Sequence, residues 1–291
     1  MINELISQIL NGICFGMIIA MIAFGLTIIF GWLEVINVAH GALYTFGAVI
    51  TFFCFSSLGN WWFAIVVSPL LLSVIGILIY FSVIKPSIHK KERFAVSLMV
   101  SYGVMFILEQ ITLLGFGGLP KSVLMPIPGS VAFHLYSYSY IYPIYRLFVV
   151  FFSIVVMGGV GYFLNNTKLG VQVRATKQDR EMAISLGINT ERVILTVFVL
   201  GCALAGLAGT LAAPITTVTH TMGRGMVIPA VLVVMLGGLG SIRGAILAAM
   251  IFSITRGIMS VFVTPIMAEV MTYILIIGIL YVRPEGLYPA V

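Results

Sequence analysis

Long uncharged stretches of apolar residues dominate this sequence and constrain what it can fold into. A helix needs about 20 apolar residues to cross the hydrocarbon core of a bilayer. Eight or nine stretches reach roughly that length, at about 5–30, 35–56, 61–84, 94–114, 146–164, 193–213, 225–242, 244–263 and 266–282. The sequence therefore predicts an all-α polytopic membrane protein, with a single transmembrane domain over residues 1–291.

Composition excludes the soluble globular class. The chain is 61% hydrophobic and only 8% charged, whereas about 25% of the residues in a typical soluble domain are charged. The first ten residues contain Glu4 and no basic residue, so they lack the positively charged region that begins a cleaved signal peptide. We therefore expect the first span to remain in the mature protein.

The stretch at 225–242 differs from the other spans because it contains helix-breaking residues. Pro229 lies inside it, and a glycine-rich run occupies residues 237–241. Transporters tolerate such breaks where the backbone is buried in protein or lines a cavity. We expect a re-entrant or broken segment near 225–242, with a full span as the alternative.

Basic residues in the loops predict the orientation in the membrane. Lys85, Lys90, Lys91 and Arg93 cluster in one short loop, and residues 167–192 contain five more cations. The positive-inside rule places both segments in the cytoplasm. Residues 115–145 then face outward, the N-terminus lies outside and the C-terminus lies in the cytoplasm. Because these cations serve orientation, the net charge of +6 does not indicate nucleic-acid binding.

The outward loop contains several tyrosines, some of them at alternate positions: Tyr136, Tyr138, Tyr140, Tyr142 and Tyr145. Tyrosines at this depth usually form a belt that anchors the protein at the lipid headgroups. Alternatively, the loop is part of a surface onto which a periplasmic binding protein docks.

No pattern of catalytic or metal-binding residues occurs in the sequence. Cys14, Cys54 and Cys202 lie in apolar segments without CxxC spacing. The four histidines form no HExxH pair, and no glycine-rich loop is followed by the lysine of a Walker A motif. We expect a chain that is not an enzyme, with no metal and no cofactor of its own. If it transports a solute against a gradient with ATP, another subunit hydrolyses the nucleotide.

The longest polar run, at residues 167–192, has the signals of short helices. Thr176 and Asp179 have the spacing of a capping box at a helix start. Gly187 stands where a glycine could end that helix in a left-handed conformation, and Asn189 could cap the next helix. Met182, Ala183 and Leu186 would form one apolar stripe, onto which a protein partner could dock. An ordinary solvated loop is the alternative that composition alone favours.

The spacing within this run resembles a known docking loop. Glu181, Met182, Ala183 and Gly187 match the Glu-Ala-Ala, three residues, Gly core by which ABC importer permeases engage their ATPase subunits. The surrounding GVQVRATKQDREMAISLGIN resembles the permeases of branched-chain amino acid ABC importers of the LivH type. Residues 25–48, 231–250 and 283–287 also resemble that family, whereas the Leu-Pro that closes the general importer motif is missing here.

The resemblance implies partners as well as a fold. It implies a cytoplasmic coupling loop at about 165–192 and an extracytoplasmic loop at about 115–145 in a bacterial inner-membrane protein. The expected partners are a second related permease, two ATPase subunits that bind ATP and Mg²⁺, and a periplasmic substrate-binding protein. The residues that would form the ATPase contact are Gly170, Arg174, Ala175, Asp179, Glu181, Met182, Ala183, Leu186 and Gly187.

A few polar residues interrupt the apolar spans. Asn37 and His40 lie near the start of the second span, and at membrane depth they either line the translocation path or hydrogen-bond between helices. Glu109 and Arg256 lie within other spans, where we expect them to pair with each other or to be solvated in a cavity. All four are candidates for the translocation path, as a lining for the zwitterionic head of an amino acid.

Small residues at four-residue intervals predict where helices approach closely. Gly12, Gly16 and Ala20 do so in the first span, and Gly201, Ala205 and Gly209 in the span after the polar run. Such faces let helices pack tightly in lipid.

The resemblance implies that the chain is a permease subunit of an ABC importer for branched-chain or related amino acids, with alternating access driven by the ATPase subunits. The alternative is a self-sufficient secondary transporter or channel for a small polar solute such as urea or an amide. In that alternative, Glu109 would be a proton or ion site.

Overall fold

The computed structural model describes residues 2–33, 37–88, 93–135 and 138–288. These residues form twelve α-helices, one π-helical turn within the third span and a two-stranded antiparallel hairpin. The elements are α1 (Ile2–Leu33), α2 (His40–Leu58), α3 (Trp62–Ile79), the π-helical turn (Tyr80–Ile84), α4 (Lys85–Ile88), α5 (Arg93–Phe116), β1 (Ser130–Leu135), β2 (Tyr138–Pro143), α6 (Ile144–Asn166), α7 (Lys168–Gln178), α8 (Arg180–Ser185), α9 (Thr190–Ala212), α10 (Arg224–Gly237), α11 (Ile242–Phe262) and α12 (Pro265–Val282).

Eight helices among the described residues are long and apolar enough to cross a membrane. They are Asn3–Gly31, His40–Leu58, Trp62–Ser87, Phe94–Phe116, Ile144–Asn166, Thr190–Ala212, Ile242–Phe262 and Pro265–Val282. The prediction of an all-α polytopic membrane protein is confirmed, with the small β1–β2 hairpin as an addition that the apolar pattern did not predict.

The segment expected to be irregular is broken. α10 has 14 residues, a length of about 21 Å, which is shorter than the hydrocarbon core of about 30 Å. Non-helical backbone precedes α10, and a turn follows it in which Gly238 and Gly240 have φ of +98° and +85°. Residues 225–242 therefore do not form one continuous spanning helix.

The helices α1 and α9 form the centre of the bundle. α1 packs against α9 and α11, and α9 also packs against α2 and α3. Most of α1 and α9 is buried, whereas less than a third of the membrane-crossing window is buried in α3, α5, α6, α11 and α12. A helix that is apolar on every side is suited to such a central position.

Glycines allow the central helices to pack with their backbones in direct contact. A Cβ atom at Gly209 would lie 2.0 Å from the Tyr44 carbonyl oxygen, and one at Gly47 would lie 2.2 Å from the Gly206 carbonyl oxygen. A Cβ at Gly12 would similarly lie 2.9 Å from the Ser253 carbonyl oxygen. The predicted small-residue packing faces in α1 and α9 are confirmed.

The first turns of α2 and α10 meet inside the bundle. The Thr45 hydroxyl accepts a hydrogen bond from the Gly223 N–H at 2.9 Å. A Cβ at Gly223 would lie 1.9 Å from the Gly41 carbonyl oxygen. The irregular backbone directly before α10 is therefore in close contact with α2 at Gly223.

Opposite ends of the bundle carry different elements. The hairpin end carries β1 and β2, with an isolated bridge that pairs Lys121 with Val218. The loop end carries α4, α7 and α8, and there Lys85 forms an ion pair with Glu191 at 2.5 Å. The two cation-rich segments thus lie at the same end, although Lys90 and Lys91 are outside the described residues.

Two tyrosines near the hairpin do not form the expected anchoring belt. The buried Tyr142 hydroxyl donates to the Leu10 carbonyl oxygen, and the buried Tyr145 hydroxyl donates to the Leu211 carbonyl oxygen, each at 2.9 Å. The belt prediction is wrong for both, because these side chains join the hairpin end to α1 and α9. Tyr136 lies outside the described residues.

Candidate functional site

The segment between α6 and α9 is held firmly against the end of α6. A Cβ at Gly170 would lie 1.7 Å from the Leu164 carbonyl oxygen, so only glycine lets α7 approach this closely. The Arg174 guanidinium donates to the same carbonyl oxygen at 2.9 Å and thereby caps the end of α6. Val173 is buried in the main apolar core. α7 is therefore an extension of the bundle rather than a free loop.

The break between α7 and α8 falls at Asp179. Its backbone is extended, with φ of −153°, and its carboxylate accepts the Met182 N–H at 2.9 Å as the N-cap of α8. The prediction that Thr176 begins this helix is wrong. The Thr176 hydroxyl instead donates to the Gln172 carbonyl oxygen inside α7, because α7 starts earlier, at the cap supplied by Thr167.

Gly187 ends α8 as predicted. Its φ is +80°, its N–H donates to the Ile184 carbonyl oxygen, and the Ile188 N–H donates to the Ala183 carbonyl oxygen. This pair of bonds is a Schellman motif. The predicted cap of the next helix is also confirmed, since the Asn189 side chain accepts the Arg192 N–H at 3.0 Å.

Large apolar side chains are exposed on α8 and directly after it, together with Arg180, Glu181 and Ser185. Met182, Ile184 and Leu186 are 58%, 55% and 73% exposed, whereas Ala183 is buried. The predicted stripe is thus wrong in one member, because Ala183 packs inward and Ile184 takes a place in the exposed set. We call Met182, Ile184 and Leu186 the α8 surface. A helix of only six residues gives too short a pattern for the sequence to show which side faces inward.

The remaining residues predicted for this surface are polar or small. Glu181 and Asp179 are exposed beside the α8 surface, and Ala175 is half-buried in α7. Apart from Ala175, the predicted contact residues therefore divide into two groups. Gly170, Arg174, Asp179, Ala183 and Gly187 shape and hold the segment, while Glu181, Met182 and Leu186 are presented outward.

The charged residues inside the spans pair differently from the prediction. Both carboxylate oxygens of Glu109 accept hydrogen bonds from Arg224, at 2.8 and 2.7 Å. The Arg224 guanidinium also lies over the ring of Phe106, with its central carbon 5.3 Å from the ring centroid. The expected pairing of Glu109 with Arg256 is wrong, because the broken segment before α10 brings Arg224 to α5. An arginine between two apolar stretches was the signal that sequence reasoning missed.

Arg256 has its own partner on the neighbouring helix. Its guanidinium lies 3.0 Å from the Glu269 carboxylate, which also accepts the Tyr273 hydroxyl at 2.6 Å. This cluster joins α11 to α12.

Asn37 and His40 are buried where α2 begins. Both residues are only 1% exposed, and their side-chain nitrogen and oxygen atoms have no hydrogen-bond partner. His40 packs against α1, since a Cβ at Gly25 would lie 2.9 Å from its Nε2 atom. The structure therefore does not show the interhelical hydrogen bonds that the structural alternative required of these two residues.

A cavity of about 490 Å³ opens among α1, α11 and the start of α6, at the hairpin end. Polar and apolar side chains share its lining, among them Gln8, Asn11, Phe15, Arg146, Ser253 and Arg256. The Arg146 guanidinium lies over the ring of Tyr142, and burial raises the pKa of Tyr142 to about 12. That phenol therefore stays protonated and keeps its hydrogen bond to α1. Arg256 is the one predicted path residue that lines this cavity.

Among the residues that the structure describes, no group of three or more histidine, cysteine or acidic side chains could hold a metal ion.

Comparisons with known proteins match this sequence over nearly its whole length. The model of the family described as branched-chain amino acid transport system / permease component matches residues 8–280. The high-affinity branched-chain amino acid transport system permease protein LivH of Escherichia coli is 26% identical, over 97% of this chain and 94% of LivH. BraD of Pseudomonas aeruginosa, which has the same description, is 28% identical over 98% of this chain and 96% of BraD.

A second kind of permease from the same type of system matches part of the chain. LivM of Escherichia coli is 34% identical over 125 residues, which are 42% of this chain and 28% of LivM. No solved structure matches. The match over residues 8–280, together with eight helices long enough to span a membrane, shows that this chain is a multi-pass membrane protein and belongs to the branched-chain amino acid transport system permease family.

Proposed function

We propose that this chain is the membrane-spanning permease subunit of an ABC importer for branched-chain or related amino acids. The observation that carries the proposal is the α8 surface. Three large apolar side chains are exposed on a short helix that caps fix at both ends and that α7 ties to α6. Exposed apolar groups on a rigid support are typical of a protein docking surface.

The energy source in this proposal lies in other subunits. The sequence has no Walker A motif, so separate ATPase subunits would bind ATP and Mg²⁺ and dock on the α8 surface. A periplasmic binding protein would supply the solute at the hairpin end. The partial match to LivM supports a second related permease as the membrane partner.

The connection between α8 and the bundle suggests how movement is transmitted. Only Leu186 to Asn189 separate α8 from α9, and the Schellman motif and the Asn189 cap hold this connection in one conformation. α9 packs against α1, α2 and α3 in the centre of the bundle. A displacement of α8 by the ATPase subunits would therefore tilt α9 and shift the bundle between two packings.

The solute path is proposed to follow the polar groups of the interior. Asn37 and His40 offer unpaired polar atoms in the centre, and the Glu109–Arg224 pair lies on the α5 and α10 side. Because Arg224 engages both oxygens of Glu109, this carboxylate fits an ion pair that lines a path better than the lone proton site of a self-sufficient carrier.

Substitution of the α8 surface tests the docking role. Met182→Asp and Leu186→Asp place a charge in an interface that would be apolar, and we expect the ATPase subunit to associate about 30-fold more weakly. Leu239→Asp is a matched control, because Leu239 is also an exposed apolar residue at the loop end but lies on the turn after α10. Co-purification of the ATPase from detergent measures the effect. Parental association in both α8 variants would contradict the proposal.

The orientation in the bacterial inner membrane is tested separately. We propose that the loop end faces the cytoplasm, with the N-terminus outside and the C-terminus inside, since the cations cluster at that end. Ser185 and Ser130 are both exposed, at the loop end and the hairpin end respectively. A membrane-impermeant thiol reagent should label Ser185→Cys only from the cytoplasm and Ser130→Cys only from outside. The opposite labelling would place the α8 surface out of reach of any ATPase.

A further inference from the structure

The cavity at the hairpin end holds an unneutralised cation. Arg146 lines it, and its guanidinium donates to the Asn11 side-chain oxygen. Among the described residues, no carboxylate lies within ion-pair distance of Arg146, and its Nε atom is buried without a partner. The other arginine in the lining differs, because Arg256 is neutralised by Glu269. The cavity therefore has one uncompensated positive charge.

A second polar group in the cavity also lacks a partner. The Ser253 side chain is 4% exposed, and its hydroxyl makes no hydrogen bond. A buried hydroxyl without a partner and an arginine without a counter-ion are costly, and in a transporter such groups mark sites for a solute. Ser253 and Arg146 come from α11 and α6, so two different helices contribute polar residues to the lining of the same cavity.

The remaining lining complements a short aliphatic chain. Phe15, Ile19 and Met226 supply apolar surface, and the volume of about 490 Å³ is typical of a small-molecule site. An arginine binds a carboxylate through two parallel hydrogen bonds, which a lysine cannot reproduce. A ligand with one carboxylate and a small apolar side chain would satisfy both kinds of surface.

We propose that this cavity binds the carboxylate of the transported amino acid on its way into the membrane, with Arg146 as the carboxylate-binding residue. The inference rests on the proposed function for the identity of the solute. The uncompensated positive charge of the site comes from Arg146, and it is tested without a transport measurement.

Thiol chemistry in the cavity measures that charge. Ser260 lines the cavity, and the native Cys14, Cys54 and Cys202 are all buried, so Ser260→Cys introduces a reactive thiol at a known place. The intact transporter complex in detergent is treated with a sulfonate-bearing or a trimethylammonium-bearing methanethiosulfonate. We expect the sulfonate reagent to be favoured, and Arg146→Gln to lower the ratio of the two rates by about tenfold.

Two further variants separate charge from structure. Asn11→Asp keeps Arg146 but replaces the amide beside it with a carboxylate. This carboxylate would neutralise the Arg146 charge, so the variant should lower the ratio of the two rates as Arg146→Gln does. Lys121→Gln removes another cation of the hairpin end that does not line the cavity, and it should change the ratio less than twofold. A ratio that Arg146→Gln and Asn11→Asp leave unchanged would overturn the proposal.

Protection of the same thiol identifies the ligand. Leucine should slow modification of Ser260→Cys, leucinamide should not, and Arg146→Gln should abolish the difference. Equal protection by the two compounds, or by neither, would overturn the carboxylate site. If the charge ratio and leucine protection behave as expected but the parent complex takes up no leucine with ATP, the proposed function fails while the carboxylate site stands.

Discussion

Glycine has opposite roles in the centre of the bundle and in the segment at its loop end. At Gly209 a Cβ atom would collide with the Tyr44 carbonyl oxygen at 2.0 Å. At Gly187 nothing lies within 4 Å, but φ is +80°. The first glycine is required by lack of space, and the second by the backbone conformation.

The difference shows how the two regions are stabilised. The central helices α1, α2 and α9 are held by backbone approach over long distances in sequence, so any added atom disturbs several helices at once. α8 is held by its own caps at Asp179 and Gly187, while its large side chains remain exposed. A change in the first region should destabilise the whole bundle, whereas a change in the second should leave a stable protein without coupling.

The largest effect is expected from Gly209→Ala in the centre. The added methyl group must displace the backbone of α2, and we expect the free energy of unfolding to fall by about 3 kcal/mol or more. Gly103→Ala in α5 is the matched control. A Cβ there meets nothing within 4 Å, and alanine should stabilise that helix by up to about 1 kcal/mol. Thermal unfolding in detergent measures the stability of both variants. Equal melting temperatures for Gly209→Ala and Gly103→Ala would show that the centre does not require glycine for lack of space.

A smaller effect on stability is expected from Gly187→Val at the end of α8. A β-branched residue with positive φ costs about 1–2 kcal/mol, which the bundle can tolerate but the orientation of α8 cannot. The chain should insert normally, while ATP-dependent uptake and association with the ATPase fall together. Gly187→Asn should retain much of both activities, because asparagine adopts positive φ more readily. Parental uptake by the valine variant would show that this turn has no part in coupling.

The smallest effect is expected from neutralising one ion pair in each region. Glu109→Gln weakens the pair with Arg224 between α5 and α10, and we expect a loss of about 1 kcal/mol of stability with ATP-dependent uptake retained. Glu191→Gln weakens the more exposed pair with Lys85 at the loop end, and should change stability by less than about 0.5 kcal/mol. Chemical denaturation in detergent compares the two. A larger loss in the Glu191 variant would reverse the assignment of which region depends on tertiary contacts.

Helix caps at Gly187 and Asn189 were predictable from local sequence, whereas the side-chain partners of residues far apart in sequence were not. Gly187 and Asn189 act within a few residues of themselves, and both predicted roles are confirmed. The partner of Glu109 is 115 residues away, and it reaches α5 only because the chain breaks before α10. Pro229 and the glycine run predicted that break, but no periodicity could show which side chains it brings together.

The α8 surface was predictable from the sequence only in part. The spacing of Glu181, Met182 and Gly187 predicted the place of the segment, but the inward turn of Ala183 and the exposure of Ile184 depend on how α8 packs on its neighbours. Its role as the ATPase contact remains a prediction from the resemblance and the exposed apolar side chains.

The central claim is that ATP bound by partner subunits drives this chain, and uptake into sealed proteoliposomes tests it most directly. The complex is purified with its partners and reconstituted with ATP sealed inside, the binding protein is added outside, and radiolabelled leucine uptake is followed with and without a protonophore. We predict uptake that requires internal ATP, resists the protonophore, persists in Glu109→Gln and is lost in Gly187→Val. Uptake that needs no ATP, collapses with the protonophore and disappears in Glu109→Gln would contradict the account.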